Sequence, residues 1–215
     1  MSLKIQKFEV GPFAENTYLV TKSGQSILID PGFSNDRELE ECKSALTDLS
    51  SSLIAVLLTH AHIDHVLGLP AILKEYDLDV FLSHADLQPW NHISEQAAMF
   101  GLKTDKFTFT PKPLTEQKVF TLGPFTMALL YTPGHAPDHI SIYFKEKNAL
   151  IAGDTLFKGS VGRTDLYKGD MQLLSRSIRV KIYSLPDETV IYPGHGPATT
   201  VGEEKRTNPF VRLEN

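Results

Sequence analysis

The run Thr59-His60-Ala61-His62-Ile63-Asp64-His65 constrains this chain more than any other stretch. It places four potential metal ligands within six residues, directly after the nearly unbroken apolar run Leu53–Leu58. Such a run reads as a strand covered on both faces, so the histidines stand where a buried strand ends. Side chains alternate in extended chain, which sends His60 and His62 to one side. The next turn, opening a helix, then brings Asp64 and His65 back toward that side. Asp64 also has the chemistry of a helix N-cap. Imidazole and carboxylate groups crowded at a strand end need a compensating partner, and a cation suits them.

Three later residues follow predicted strands in the same way: His135, Asp154 in Ala152-Gly153-Asp154, and His195. Tyr131-Thr132-Pro133-Gly134-His135 and Ile191-Tyr192-Pro193-Gly194-His195 repeat Pro-Gly-His after an apolar strand, which gives both histidines equivalent strand-end positions. Together these are seven donors, enough for two ions if one carboxylate is shared. Donors of this kind, without thiolate, suit Zn²⁺, Fe²⁺ or Mn²⁺ alike. They can converge only if the strands end at a common edge. His84, His92 and His139 fall outside the pattern and receive no role, and Asp30 reads as part of an Asp30-Pro31-Gly32 turn.

Periodicity supplies the frame. Strands are expected over Leu3–Val10, Thr17–Thr21, Ser26–Asp30, Leu53–Thr59, Val80–Ser83, Lys118–Thr121, Thr126–Thr132, Ile140–Phe144, Ala149–Ala152 and Glu188–Tyr192. Helices are expected over Arg37–Leu49, capped by Asp36, over Asp64–Tyr76, near Glu95–Phe100 and over Met171–Tyr183. The rest of 84–117 reads as a surface excursion that helps shape a pocket wall. Strand-rich halves, each with helices, suggest an α+β layered sandwich of two mixed sheets flanked by helices. Without a long Gly/Ser linker, residues 1–215 are expected to fold as one domain.

At 215 residues, 41% hydrophobic and 22% charged, the chain is long enough for a substantial core and is not of disordered composition. The formal charge of −5, with no Lys/Arg block, argues against nucleic acid as a partner. No apolar run is long enough to span a bilayer, and the N-terminus alternates apolar and polar residues, unlike a signal peptide. These features point to a cytoplasmic protein without a membrane partner. Cys42, the single cysteine, reads as a bystander in a helix.

The segment His60-Ala61-His62-Ile63-Asp64-His65, with His135, Asp154 and His195, resembles the metallo-β-lactamase superfamily pattern. The likeness runs through the whole chain, from Asn16-Thr17-Tyr18-Leu19-Val20 and Leu28-Ile29-Asp30-Pro31-Gly32 to Tyr192-Pro193-Gly194-His195-Gly196. Asp154 stands where some branches carry cysteine, which is unlike the true β-lactamases and closer to the glyoxalase II (hydroxyacylglutathione hydrolase) branch. Ala152-Gly153-Asp154-Thr155-Leu156-Phe157, Gly162-Arg163-Thr164-Asp165 and Gly194-His195-Gly196-Pro197 further resemble short bacterial glyoxalase II-like proteins.

The resemblance implies a four-layer αββα sandwich and two divalent metal ions, zinc first and iron or manganese as alternatives. It assigns His60, His62 and His135 to one ion, Asp64, His65 and His195 to the other, and Asp154 to both. It implies a metal-dependent hydrolase that cleaves a small-molecule hydroxyacyl thioester such as S-lactoylglutathione through a metal-bridged hydroxide. Asp64 would also orient the nucleophile or shuttle a proton. Glyoxalase II proteins carry a C-terminal helical domain that helps hold glutathione, whereas this chain ends about twenty residues after His195, room for one helical turn or two. Arg163 stands where those enzymes have a glutathione-binding loop, so it could hold a substrate carboxylate or pair with a nearby acid. A persulfide dioxygenase using one iron on His60, His135 and Asp154 is the alternative, and a non-catalytic metal-binding protein is the third.

Overall fold

Buried apolar residues gather in the two units into which the chain divides. The computed structural model describes residues 2–104 and 106–213. One unit runs to Leu114 and includes Leu122–Phe125; the other takes Thr115–Thr121 and the chain from Thr126. Among the described residues each unit holds a mixed sheet with flanking helices.

The first sheet has strand order β1-β2-β3-β4-β5-β6, formed by Lys4–Val10, Glu15–Lys22, Gln25–Ile29, Ser52–Leu57, Asp79–Ser83 and Lys112–Leu114. The first three strands pair antiparallel, and β3, β4, β5 and β6 then pair parallel. The helix α1 (Asp36–Asp48) turns Leu39, Cys42, Ala45 and Leu46 inward, onto a core that also contains Leu28, Val56 and Leu58. Its cap is Asn35, whose side chain accepts from the Glu38 N–H at 3.1 Å, rather than the expected Asp36. Burying each large side chain there contributes about 1.5–3 kcal/mol.

The helix expected over Asp64–Tyr76 is two helices, α2 (Ile63–Val66) and α3 (Leu69–Glu75). Two features divide it. The Gly68 N–H is diverted to the Pro31 carbonyl at 2.8 Å, and Pro70 has no N–H to offer the preceding turn. A Cβ on Gly68 would lie 2.7 Å from Phe33 Cβ, so this close approach requires glycine.

The stretch after β5 is more ordered than a surface excursion. It forms α4 (Gln88–Asn91) and α5 (Ile93–Met99) before β6 joins the sheet. Trp90, Ile93 and Ala97 are buried in the core, and Trp90 packs on Phe107 at 4.5 Å between ring centroids. Gln96 on α5 donates to the Ala61 carbonyl at 3.0 Å, tying this segment to the histidine loop.

The second sheet comprises β7 (Gln117–Leu122), β8 (Phe125–Tyr131), β9 (Ile140–Phe144) and β10 (Ala149–Gly153). A small separate pair follows, β11 (Leu156–Phe157) with β12 (Ser160–Val161). After α6 (Met171–Ser177), β13 (Val190–Pro193) and β14 (Thr199–Thr200) complete the order β14-β13-β10-β9-β8-β7, and α7 (Val201–Thr207) follows. Every residue of β9 and β10 is buried, the polar Ser141 in β9 among them. The helix expected over Met171–Tyr183 passes from α6 into a wider turn at Ile178–Ile182, where the Tyr183 N–H reaches the Ile178 carbonyl at 2.9 Å. Leu174, Ile178 and Ile182 pack in a core with Leu150, Ala152 and Ile191.

Candidate metal centre

Because β3, β4 and β5 run parallel, Asp30 and Thr59-His60 leave the first sheet at the same edge. Asp30 takes φ +51, an uncommon backbone conformation for a residue with a Cβ. Its carboxylate is occupied on both oxygens: Oδ1 accepts the Thr59 N–H at 2.7 Å, and Oδ2 accepts the Thr59 hydroxyl at 2.6 Å. Oδ2 also lies 3.1 Å from His65 Nδ1. An ionised carboxylate only accepts, so His65 donates from Nδ1 and keeps its lone pair on Nε2. The Thr59 proton is committed to Asp30, so its oxygen accepts from His60 Nδ1 at 3.0 Å. His60 therefore also presents Nε2 as a donor atom for a metal. Such orienting bonds set the ligating tautomer of a histidine.

His60 Nε2 and His62 Nδ1 stand 3.1 Å apart, their rings edge to face. Zinc–imidazole bonds are about 2.0–2.1 Å long, so this spacing matches two corners of one coordination sphere. Alternation along the chain thus puts both rings on one side. Asp64 does not cap its helix. The cap position is His62, and Asp64 lies in the first turn, with Oδ2 3.8 Å from His65 Nε2. The cap expectation fails because α2 begins at Ile63, two residues before the start that an Asp64 cap requires.

Glu15 lies fully buried behind His65, with Oε1 3.7 Å from His65 Nδ1. Burial pushes its carboxyl well above the ordinary 4.5; the proximity of His65 opposes the rise and that of Asp30 adds to it. The Thr17 hydroxyl lies 2.7 Å from the Asp30 carbonyl and 2.8 Å from Glu15 Oε2, accepts the Gly32 N–H at 3.0 Å, and opposes the rise where it donates to Glu15.

In the second sheet β8, β10 and β13 run in one direction, with β9 antiparallel between β8 and β10. Their C-terminal ends share an edge, and His135, Asp154 and His195 follow from it. One carboxylate oxygen, Asp154 Oδ2, stands 3.5 Å from His135 Nε2 and 3.6 Å from His195 Nε2. Both distances exceed good hydrogen-bond length and suit an oxygen shared between neighbouring coordination spheres. His135 Nδ1 donates to the Arg163 carbonyl at 2.8 Å, which again leaves the lone pair on Nε2. Gly162 makes this packing possible, since a Cβ there would lie 2.0 Å from the Asp154 carbonyl oxygen.

The guanidinium of Arg163 forks onto Asp165, with both nitrogen–oxygen distances at 2.7 Å. This pairing holds the Asp165 carboxyl down at about 2. The nearby acid that the sequence offers as a partner is thus Asp165. His84 and His92 bond the Pro111 and Gln88 carbonyls and belong to neither donor set. His139 differs from them: it is fully buried, with Nε2 3.0 Å from the Asp154 amide nitrogen. Cys42 is buried and its thiol is pushed up to about 12 by burial, which keeps it protonated and inert. Sequence reading missed the parts played by Asp30, Thr59, Glu15 and His139, because each acts through a neighbour that only strand pairing brings close.

A family model described as the metallo-beta-lactamase superfamily matches residues 10–195. The chain is 33% identical to the probable metallo-hydrolase YqgX of Bacillus subtilis, over 97% of this chain and 98% of that protein. It is 34% identical to the hydroxyacylglutathione hydrolase GloC of Haemophilus influenzae, over 99% and 100%. Among solved structures it is similar to the BLEG-1 B3 metallo-beta-lactamase, with TM-score 0.86 and 33% identity over 97% and 99% of the two chains. TTHA1623 in a di-iron-bound form gives TM-score 0.85 and 38% identity over 95% and 99%. ETHE1 from Myxococcus xanthus gives 0.78 and 26% over 97% and 84%.

Proposed function

The chain belongs to the metallo-β-lactamase superfamily and has its fold, and from that premise we propose that it hydrolyses a hydroxyacyl thioester such as S-lactoylglutathione with two divalent ions, zinc first. Metal binding by this fold is exemplified by the di-iron form of TTHA1623, and metallo-hydrolases are named among the relatives. We assign His60, His62 and His135 to one ion, Asp64, His65 and His195 to the second, and Asp154 to both. The observation that carries the assignment is the single Asp154 oxygen set between two imidazole nitrogens. The donor chemistry fits: His60, His65 and His135 each have Nδ1 occupied by an oxygen acceptor, which turns Nε2 outward as a ligand.

Divalent ions held by these residues would supply the acidification of a water toward neutrality and the polarisation of a carbonyl. The protein's own part is to hold and orient. Asp30 and Thr59 fix the imidazoles of His60 and His65, so little reorganisation accompanies charge development. The Asp64 carboxylate orients the attacking water or takes its proton. A thiolate leaves without strong acid assistance, so no dedicated general acid is needed. Arg163, exchanging Asp165 for a substrate carboxylate, would hold the thiol carrier.

The likeness to GloC supports glutathione as that carrier. No described helix is long and apolar enough to cross a membrane, and a small thioester in the cytoplasm is the partner this reading implies. The test is turnover of S-lactoylglutathione by zinc-loaded protein; a rate no better than that of Asp154→Ala would refute the proposal. A second reading, persulfide oxidation on a single iron held by His60, His135 and Asp154, draws on the likeness to ETHE1 and to an iron-bound neighbour. One iron per chain with oxygen uptake on glutathione persulfide would favour it, and two metals with thioesterase activity would exclude it.

A further inference from the structure

We propose that His139 is a positioning residue for Asp154, clamping the backbone from which the shared carboxylate projects; the proposal rests on the reading of Asp154 as a metal ligand. The chain bends sharply there. Gly153 has φ +53, and the β10–β13 register breaks between Ile151 and Gly153. The Asp154 amide thus points away from the regular ladder, and it donates to His139 Nε2 at 3.0 Å. An amide N–H can only donate, so Nε2 holds a lone pair and Nδ1 carries the ring proton.

That proton has a destination. His139 Nδ1 lies 3.0 Å from Thr132 Oγ1, Thr132 Oγ1 lies 2.9 Å from Ser141 Oγ, and Ser141 donates to the Ala152 carbonyl at 3.2 Å. Read in the direction the ring requires, the relay runs from Asp154 N–H through His139, Thr132 and Ser141 to the Ala152 carbonyl. Both backbone groups flanking Gly153 are therefore tied to one chain of bonds. Thr132, His139 and Ser141 are fully buried, so water does not replace a lost member, and the Thr132 N–H to His139 carbonyl bond at 3.0 Å closes the same loop. The relay sets the direction in which Asp154 leaves β10 and hence keeps Oδ2 between His135 and His195.

The experiment compares His139→Leu, which removes both bonds, with His139→Gln, whose side-chain oxygen can still accept the Asp154 amide. Zinc affinity is measured by chelator competition, and the cobalt-substituted proteins are examined by absorption spectroscopy. Loss of such support is expected to weaken metal binding about 10–100-fold in His139→Leu and to alter the cobalt spectrum, with recovery to within a few-fold in His139→Gln. A core variant, Ile178→Val, controls for lowered stability and should leave affinity and spectrum unchanged. Wild-type affinity and spectrum in His139→Leu would overturn the proposal, as would an equal loss in the core control at matched melting temperature. Asp154→Ala keeps the two failures apart: unchanged metal binding there removes the underlying reading, and the proposal with it. Metal loss in Asp154→Ala without loss in His139→Leu removes the proposal alone.

Discussion

The Asp30→Asn substitution isolates the role of hydrogen-bond direction in the donor set. It keeps the shape of the side chain, and asparagine tolerates the φ of +51 observed there. The Thr59 N–H retains its acceptor if the asparagine oxygen takes the place of Oδ1. The amide nitrogen then replaces Oδ2, which faces the Thr59 hydroxyl and His65 Nδ1. An NH₂ group donates to both, so His65 must accept at Nδ1 and move its proton to Nε2. Thr59, released from Asp30, donates to His60 Nδ1 and drives the same change there. One buried exchange of oxygen for nitrogen thus turns two ligating nitrogens into N–H groups. Losing an orienting bond costs about 10–100-fold in metal affinity per histidine, or about 1.4–2.8 kcal/mol each. Zinc titration against a chromophoric chelator should show both ions weakened. An Asp30→Asn protein holding two zinc ions at wild-type affinity would refute the tautomer argument.

Other expectations follow from single contacts. Gly162→Ala places a methyl group 2.0 Å from the Asp154 carbonyl oxygen and 3.1 Å from His135 Nδ1; it should cost about 2–3 kcal/mol in calorimetry and lower metal content. Arg163→Ala leaves the backbone carbonyl that holds His135 in place, so KM for a carboxylate-bearing thioester should rise while kcat changes little. In the same variant the Asp165 carboxyl should move from about 2 back toward 3.8, as followed by carbon NMR. Glu15→Gln should stabilise the metal-free protein at neutral pH. The folded state raises the Glu15 pKa above 4.5, so the fold retains a proton that the unfolded chain has released. The wild type therefore loses stability as pH rises above 4.5, and glutamine removes that slope; parallel melting curves for both proteins from pH 5 to 8 would contradict it.

Much of the frame was legible because strands buried on both faces leave a continuous apolar trace. Ile140–Phe144 matches its strand in full, and Leu53–Thr59 overlaps β4, which begins one residue earlier and ends two residues earlier. Where local signals compete, the structure departs from the sequence pattern. The apolar spacing after His62 is that of one continuous helix, while the break comes from Gly68 bonding a carbonyl in a distant turn. The cap of α1 moved by one position between two residues of similar chemistry, Asn35 and Asp36. The strand β6 has three residues, one of them Pro113, and owes its existence to pairing with β5.

By itself the sequence supplied the chemical inventory: imidazole and carboxylate side chains placed after strands, in an order that resembles the superfamily pattern. Donor identity is a property of side chains, and strand ends follow from apolar runs, so both can be read along one dimension. Tertiary structure decided which nitrogen of His60, His65 and His135 carries the proton, since that depends on acceptors such as Asp30, Thr59 and the Arg163 carbonyl. It also decided that burial raises the Glu15 carboxyl above its ordinary range and that His139 accepts the Asp154 amide. Those outcomes depend on burial and on pairing between strands far apart in the chain, and no local pattern of residues encodes either.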